Sequence, residues 1–138
     1  MRLAYVWFEC MGRQPMMKYA FAAPILPGKT DAARQWVETV LGPKKAEYDD
    51  LQKRMGVEQE SYFLMETPDG DMMVMSGEGT WIPPTESLDL ENREFDRWFA
   101  EQVEDICGFD VMTMTEPPAS LLGTWESSDK PATAPAAD

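Results

Sequence analysis

The sequence contains no histidine, and this absence excludes several kinds of chemistry at once. Without an imidazole there is no Ser-His-Asp or Cys-His relay, no histidine-ligated zinc or haem, and no histidine general base. Any proton transfer must therefore use a carboxylate, tyrosine, lysine or cysteine side chain, or a group of the substrate itself.

Cysteine and positive charge are also scarce. The two cysteines, Cys10 and Cys107, are too few for a four-ligand metal site and do not form a C-x-x-C pair. The 12 Lys and Arg residues are outnumbered by 25 Asp and Glu residues, so the net charge is -13. Nucleic acids and anionic membranes attract clusters of Lys and Arg, so neither is an expected partner. We expect no metal and no cofactor.

Long apolar runs are missing as well. No segment approaches the roughly 20 apolar residues of a membrane-spanning helix. The apolar stretch from Leu3 to Phe8 is interrupted by Glu9 and is shorter than the core of a secretory signal. These features predict a cytoplasmic protein. Its 138 residues, of which 43% are hydrophobic, fit one domain with a substantial core.

Changes in composition divide the chain into three parts. Residues 1–15 show no clear period, and we expect them to be an N-terminal extension. Residues 16–126 carry the periodic segments and are the predicted domain. Residues 127–138 are rich in Pro, Ala, Ser and Asp, a composition that predicts a disordered tail.

Four apolar segments of the domain have the length and composition of strands. They are Met17–Ala23, Val57–Glu66, Met72–Met75 and Val111–Thr115. Between the second and third strands, the sequence from Thr67 to Asp71 contains Pro-Asp-Gly, which is typical of a tight turn. These two strands are therefore predicted to form an antiparallel hairpin.

Two segments have helical periodicity. The first helix is predicted to begin with Thr30 as its N-cap and to be interrupted at Gly42-Pro43. The second covers Arg93 to Cys107, and its Asp96 is expected to lie on a solvated face. Residues 77–92 are a long connection, and Ser120 to Trp125 is a candidate for a further short edge strand.

The element order β-α-β-β-α-β predicts a ferredoxin-like α+β fold, with a four-stranded antiparallel sheet and both helices on one face. Phe63 and Met65 occupy one face of the second strand, whereas Tyr62 and Leu64 occupy the other. Two helices cover only one face, so the second apolar face needs a partner. The sequence thus predicts a homodimer with sheets packed face to face.

The chain resembles the dimeric α+β barrel superfamily of ferredoxin-like proteins, and more closely an uncharacterised bacterial family within it. This superfamily includes cofactor-free antibiotic-biosynthesis monooxygenases, isomerases, cyclases and haem-binding branches. The resemblance implies the fold and the dimer but no catalytic motif. Because the haem-binding branches depend on a histidine, this sequence departs from them. The resemblance is carried by residues 24–30, 67–71, 95–99 and 106–110.

Four aromatic residues are candidates for a ligand pocket between the sheet and the helices. Tyr19, Trp36, Tyr48 and Tyr62 would line this space, with their phenols orienting a quinol or enol. The alternative is that these residues form ordinary core, with their hydroxyls bound to backbone groups.

The second helix and the loop before it supply three further candidates. Trp98 is a candidate pocket wall, and Gln102, a polar residue within the apolar stripe, is a candidate anchor for a substrate oxygen. Trp81, in a loop with two prolines, is a candidate lid over the pocket. Both tryptophans have a plain alternative: Trp98 as core and Trp81 docked on the body of the domain.

The sequence leaves the function open between two classes. One is a cofactor-independent enzyme of the monooxygenase, isomerase or cyclase type, acting on an aromatic or other apolar small molecule. The other is a non-catalytic homodimer that binds a small ligand or is purely structural. A pocket with a buried polar group would favour the first class, whereas a closed core would favour a structural role.

Overall fold

The computed structural model describes residues 16–115 and 119–129, which form an α+β fold. Within these ranges there are three strands, four helices and one 3-10 turn. The elements are β1 (Met17–Pro24), α1 (Thr30–Val40), α2 (Lys45–Arg54), β2 (Val57–Thr67), β3 (Gly70–Gly79), α3 (Pro84–Ser87), α4 (Glu94–Cys107) and the turn Val111–Thr113.

The sheet has the strand order β1-β3-β2, and both pairings are antiparallel. The β2–β3 hairpin confirms the predicted turn, since Thr67 pairs with Gly70 and Gly70 has a positive φ of 128°. The hydroxyl of Thr67 donates to the carbonyl of Gly70 at 2.6 Å, which closes the turn. This arrangement is compatible with a ferredoxin-like fold.

The prediction of a fourth strand at Val111–Thr115 is wrong, because Val111–Thr113 forms a 3-10 turn. The Asp110 carboxylate accepts from the backbone N–H of Met112 at 2.9 Å, and the Thr113 hydroxyl donates to the Asp110 carbonyl at 2.7 Å. Such local bonds compete with strand formation despite the β-branched residues. Residues 120–125 form no strand either and are exposed.

The predictions for the two ends of the chain lie largely outside the described residues. The proposed extension at residues 1–15 is not among them, nor are residues 130–138 of the proposed tail. Residues 127–129, at the start of that tail, are exposed and include a turn.

The first predicted helix is interrupted as expected, giving α1 and α2 with the break at residues 41–44. However, Thr30 is the first residue of α1 rather than its N-cap, and its hydroxyl donates to Asp71 at 2.6 Å. That bond ties the start of α1 to the hairpin, so the hydroxyl stabilises tertiary structure instead of a helix end. The predicted end of α4 is confirmed, since Gly108 follows it with a φ of 80°.

Helices α1, α2 and α4 pack on one face of the sheet. Trp36 of α1 contacts both Tyr62 of β2 and Phe99 of α4, with ring centroids 5.9 Å apart in each case. The other face is open among the described residues, and Phe63 and Met65 on it are 54% and 44% exposed. The buried core on the covered face includes Tyr19, Ala23, Ala33, Trp36, Val40, Tyr48, Leu51, Met73, Phe99 and Ile106.

A buried ion pair joins α2 to α4. The Asp96 carboxylate is 0% exposed and receives two bonds from the Arg54 guanidinium, at 2.8 and 3.0 Å. It also accepts from the backbone N–H of Asp89 at 2.8 Å. The expectation of a solvated Asp96 is therefore wrong. Helical periodicity places this carboxylate in water, but Arg54 and the N–H of Asp89 bind it in the interior instead.

Candidate functional site

A single carboxylate, Glu60 on β2, gathers four polar side chains on the covered face of the sheet. Tyr19 donates to its Oε2 atom at 2.5 Å, whereas Tyr62 and Gln52 donate to its Oε1 atom at 2.6 and 2.8 Å. The Tyr48 hydroxyl lies 2.7 Å from that of Tyr62 and 3.3 Å from Oε1. We call these five residues the Glu60 cluster.

The cluster depends on Gly77 of β3, because Tyr19 and Glu60 lie on strands β1 and β2, which are separated by β3 in the sheet. Tyr19 pairs with Gly77 across β1–β3, and Gly77 pairs with Glu60 across β3–β2. A Cβ atom at Gly77 would lie 2.3 Å from the Gln59 carbonyl and 2.8 Å from the Tyr19 hydroxyl. The missing side chain thus lets the Tyr19 ring cross β3 and reach the carboxylate.

The three phenols of the cluster are neutral hydrogen-bond donors. Burial, followed by the charge of Glu60, raises the pKa of Tyr19, Tyr48 and Tyr62 well above the ordinary value of 10.0. Because Tyr62 donates to Glu60, Tyr48 is placed to donate in turn to the Tyr62 hydroxyl. The carboxylate is therefore the group of the cluster that can accept a proton.

An apolar cavity of about 80 Å³ lies between the sheet and the helices, beside Glu60. Apolar and aromatic side chains make up most of its wall, which includes Phe21, Met55, Met73, Met75, Phe99 and Ile106. Its amide and carboxylate groups come from Gln52, Glu60 and Gln102. A few polar groups in an otherwise apolar concave site are typical of small-molecule binding.

A second opening, a surface cleft of about 610 Å³, lies between α2 and β2. Tyr48, Gln52 and Glu60 line both this cleft and the inner cavity. The Glu60 cluster thus has one side toward the cavity and another toward the cleft. The carboxylate therefore borders both the apolar cavity and a cleft that is open at the surface.

Two tryptophans flank the cluster and belong to the cavity wall. Trp36 makes edge-to-face contacts with Tyr48 and Tyr62, each with centroids 5.9 Å apart, and Trp81 contacts Tyr19 at 5.2 Å. The buried indole N–H groups of Trp36 and Trp81 have no hydrogen-bond acceptor among the described residues. A buried indole N–H usually finds an acceptor, so these are two unsatisfied donors in the wall of the cavity within the described part of the chain.

Trp81 also has an unusual backbone, with a φ of 52°. Hydrogen bonds on either side of it hold this conformation, from the Thr80 N–H to the Gly56 carbonyl at 2.7 Å and from the Ile82 N–H to the Met55 carbonyl at 2.8 Å. Its side chain is 9% exposed, so Trp81 is docked on the body of the domain as a wall of the cavity. A left-handed non-glycine residue beside a cavity is a common feature of functional sites.

The structure brings most of the sequence-predicted residues together. Three of them converge on Glu60 through their hydroxyls, namely Tyr19, Tyr48 and Tyr62. Two more, Trp36 and Trp81, contact the rings of these tyrosines. Gln102 lines the cavity and is half-buried, and its amide makes no hydrogen bond with the described residues. Trp98 does not line the cavity; it contacts Phe95 at 5.4 Å and Lys44, whose Nζ atom lies 5.1 Å from the ring centroid.

Glu60 and Gln52 are the members of the site that the sequence analysis missed. A signal for Glu60 existed, since Glu60, Tyr62 and Leu64 alternate along β2 and therefore share a face. A carboxylate on the same face as a predicted pocket tyrosine was a reasonable candidate. Gln52 was harder to identify, because a polar residue on a helix fits a solvent-exposed face as well as a buried polar network.

Comparisons with known proteins do not place this chain in a family: a scan of protein-family models, a search of curated proteins and a search of solved structures each found no match. Within residues 16–115 and 119–129, no three Cys, Asp or Glu side chains are grouped as a metal site would require. No helix in the described part of the chain is long and apolar enough to span a membrane.

Proposed function

We propose that the protein binds a small, uncharged, largely apolar molecule that carries one carbonyl or hydroxyl group. The observation that carries this proposal is the presence of two polar groups, the Glu60 carboxylate and the Gln102 amide, in the wall of an otherwise apolar cavity. The buried N–H groups of Trp36 and Trp81 in the same wall have no acceptor among the described residues, and an unpaired buried group of this kind costs about 1–3 kcal/mol. A ligand oxygen would supply the acceptor that these two donors lack.

The size of the cavity limits the ligand. A volume of about 80 Å³ is roughly half of the ~150 Å³ that encloses benzene in an engineered cavity. Molecules of a few non-hydrogen atoms fit without movement of the wall. Four methionines in the wall have flexible side chains that can repack around a larger molecule, and these are Met55, Met73, Met75 and Met114.

The polar cluster supports a binding role over a purely structural one. Packing alone needs no carboxylate on the covered face of a sheet, and removing a charge from water is costly unless donors replace the water. Tyr19, Tyr62 and Gln52 supply those donors, and the carboxylate still lies at the wall of the cavity. The chain thus maintains a charged group in the wall of the cavity, where a bound ligand would contact it.

Filling the cavity tests the proposal. Val103 lines the cavity, whereas Val37 is also half-buried against the core but is not in the wall. With butanone as the probe in saturation-transfer NMR, Val103→Phe should weaken binding at least about tenfold, and the control Val37→Phe should leave it unchanged. Equal binding by the two variants would show that the probe does not occupy this cavity.

We also propose that the working form is a homodimer of the dimeric α+β barrel type, with the open sheet faces packed together. Ala22, Val74 and Phe63 lie side by side on that face, and Met65 lies opposite Met72. This continuous apolar strip supports the proposal, because a strip of this kind on a water-facing sheet favours association. The resemblance of the sequence to that superfamily supports it independently.

A further inference from the structure

We infer that the cavity is a catalytic site for enolisation, in which Glu60 removes a proton from the carbon next to a ligand carbonyl. This inference rests on the proposed binding function and names its chemistry. The substrates would be short-chain ketones and related compounds with an acidic C–H bond, since the cavity is small and mainly apolar. The reaction would require no cofactor.

Glu60 is the suitable base among the described residues that line the cavity. The phenol of Tyr48 stays protonated because burial and the Glu60 charge raise its pKa. The thiol of Cys107 also stays protonated, since burial raises its pKa above the ordinary value of 9.0. Gln52 and Gln102 carry no ionisable group. Glu60 is therefore the lining residue whose charge and chemistry fit proton removal.

The two oxygens of the carboxylate are not equivalent. Oε1 accepts from Tyr62 and Gln52 and lies 3.3 Å from the Tyr48 hydroxyl, whereas Oε2 accepts from Tyr19 alone. Oε2 consequently keeps a lone pair for an incoming proton. The donors on Oε1 fix the orientation of the carboxylate, as a positioned base requires.

The proposed step balances without an oxidant or a reductant. The C–H bond breaks and its proton goes to Oε2, while its electron pair forms the carbon–carbon double bond of the enolate. The carbonyl π electrons move to the oxygen, so the negative charge passes from Glu60 to that oxygen. The Gln102 amide, which makes no hydrogen bond with the described residues, is a donor in the cavity wall for this developing charge. Return of a proton from Glu60 to carbon completes the cycle.

The surface cleft gives this proton a path to solvent. Tyr48, Tyr62 and Gln52 line the cleft, and two of them donate to Oε1 of Glu60. A proton held by the carboxylate can exchange with cleft water before it returns to carbon. The reaction in D₂O should therefore place deuterium on the carbon next to the carbonyl.

Deuterium incorporation into butanone tests the inference. The wild-type protein should accelerate incorporation above the buffer rate, and Glu60→Gln should reduce the protein-dependent rate by about 100-fold or more. Glu66→Gln, which changes an exposed carboxylate at the far end of β2, is the matched control and should keep the wild-type rate. Gln102→Leu, which leaves the Glu60 cluster intact, should also lower the rate.

Binding of butanone is measured on the same samples by saturation-transfer NMR. Wild-type protein that binds butanone but incorporates deuterium at the buffer rate would overturn the enolisation step while leaving the binding function intact. Wild-type protein that does not bind butanone would contradict both. Full activity in Glu60→Gln, or full activity in Gln102→Leu if Glu60→Gln does not fold, would also overturn the inference.

Discussion

Gly77 and Tyr19 show how single residues determine the site. Gly77 leaves the space that the Tyr19 ring uses to cross β3, and the Tyr19 hydroxyl then reaches Oε2 of Glu60 at 2.5 Å. The tyrosines were identifiable from the sequence as candidates because they sit at strand and helix positions that face the core. Their convergence on Glu60 was not identifiable from the sequence, because it depends on the strand register. That register places residues 19 and 60 on opposite sides of one glycine, Gly77.

The ionisation of the tyrosines is the first residue-scale prediction. Folding raises the pKa of three of the chain's four tyrosines, so their contribution to stability is present below the ordinary pKa of 10.0 and declines as the pH rises above it. In an alkaline titration followed by phenolate absorbance, these three phenols should ionise together with unfolding.

Tyr19→Phe is the variant that checks this account. Loss of one phenol with a raised pKa should make the free energy of unfolding fall less steeply above pH 10. Urea denaturation at a series of pH values measures this dependence. An ordinary titration of all the tyrosines in the folded protein would contradict the buried, charge-coupled cluster.

At the scale of elements, the Arg54–Asp96 pair is the main polar link between α2 and α4. Asp96 is wholly buried and bound through both of its oxygens, so its removal leaves the Arg54 guanidinium without its buried partner. Asp96→Asn should lower the free energy of unfolding by about 3 kcal/mol, because it breaks the buried pair and leaves the Arg54 guanidinium with only the exposed Asp50 carboxylate and the Ser87 carbonyl. Urea denaturation measures this change.

Asp105→Asn is the matched control on the same helix. Asp105 pairs with Lys29 at 3.0 Å, but its side chain is 54% exposed. Exposed pairs contribute little, so this substitution should cost less than about 1 kcal/mol. Equal losses in the two variants would show that the buried pair does not link the helices as described.

The elements themselves were predictable to different degrees. The β2–β3 hairpin followed from Pro68-Asp69-Gly70, where the turn chemistry is local and strong. The turn at Val111–Thr113 was not predictable from its β-branched residues, because the Asp110 carboxylate determines its conformation. Asp96 was wrongly predicted to be solvated for a related reason. Helical periodicity identifies the apolar face of a helix, but it does not show that Arg54 on the neighbouring helix α2 pairs with a residue of the polar face.

At the scale of the whole molecule, the open face of the sheet gives a prediction about assembly. Phe63→Asp places a charge in the centre of the proposed dimer interface, where it should convert a dimer into monomers at low micromolar concentration. Light scattering coupled to size exclusion measures the mass directly.

Cytoplasmic localisation stays a prediction from the sequence.

Leu41→Asp provides a control of similar exposure. Leu41 is 51% exposed and Phe63 is 54% exposed, but Leu41 follows α1 and does not belong to the sheet. The Leu41 variant should keep the mass of the wild-type protein. A wild-type protein that is already monomeric would contradict the face-to-face dimer.

The central claim is that a small molecule occupies the cavity beside Glu60, and the indole N–H signals of the protein test it most directly. In a titration with butanone followed by ¹H–¹⁵N NMR, the signals of Trp36 and Trp81, which line the cavity, should shift and saturate. Those of Trp98, which lies outside the cavity wall, and of the 84% exposed Trp125 should not move. Unchanged Trp36 and Trp81 signals, or equal shifts of all four, would contradict the claim.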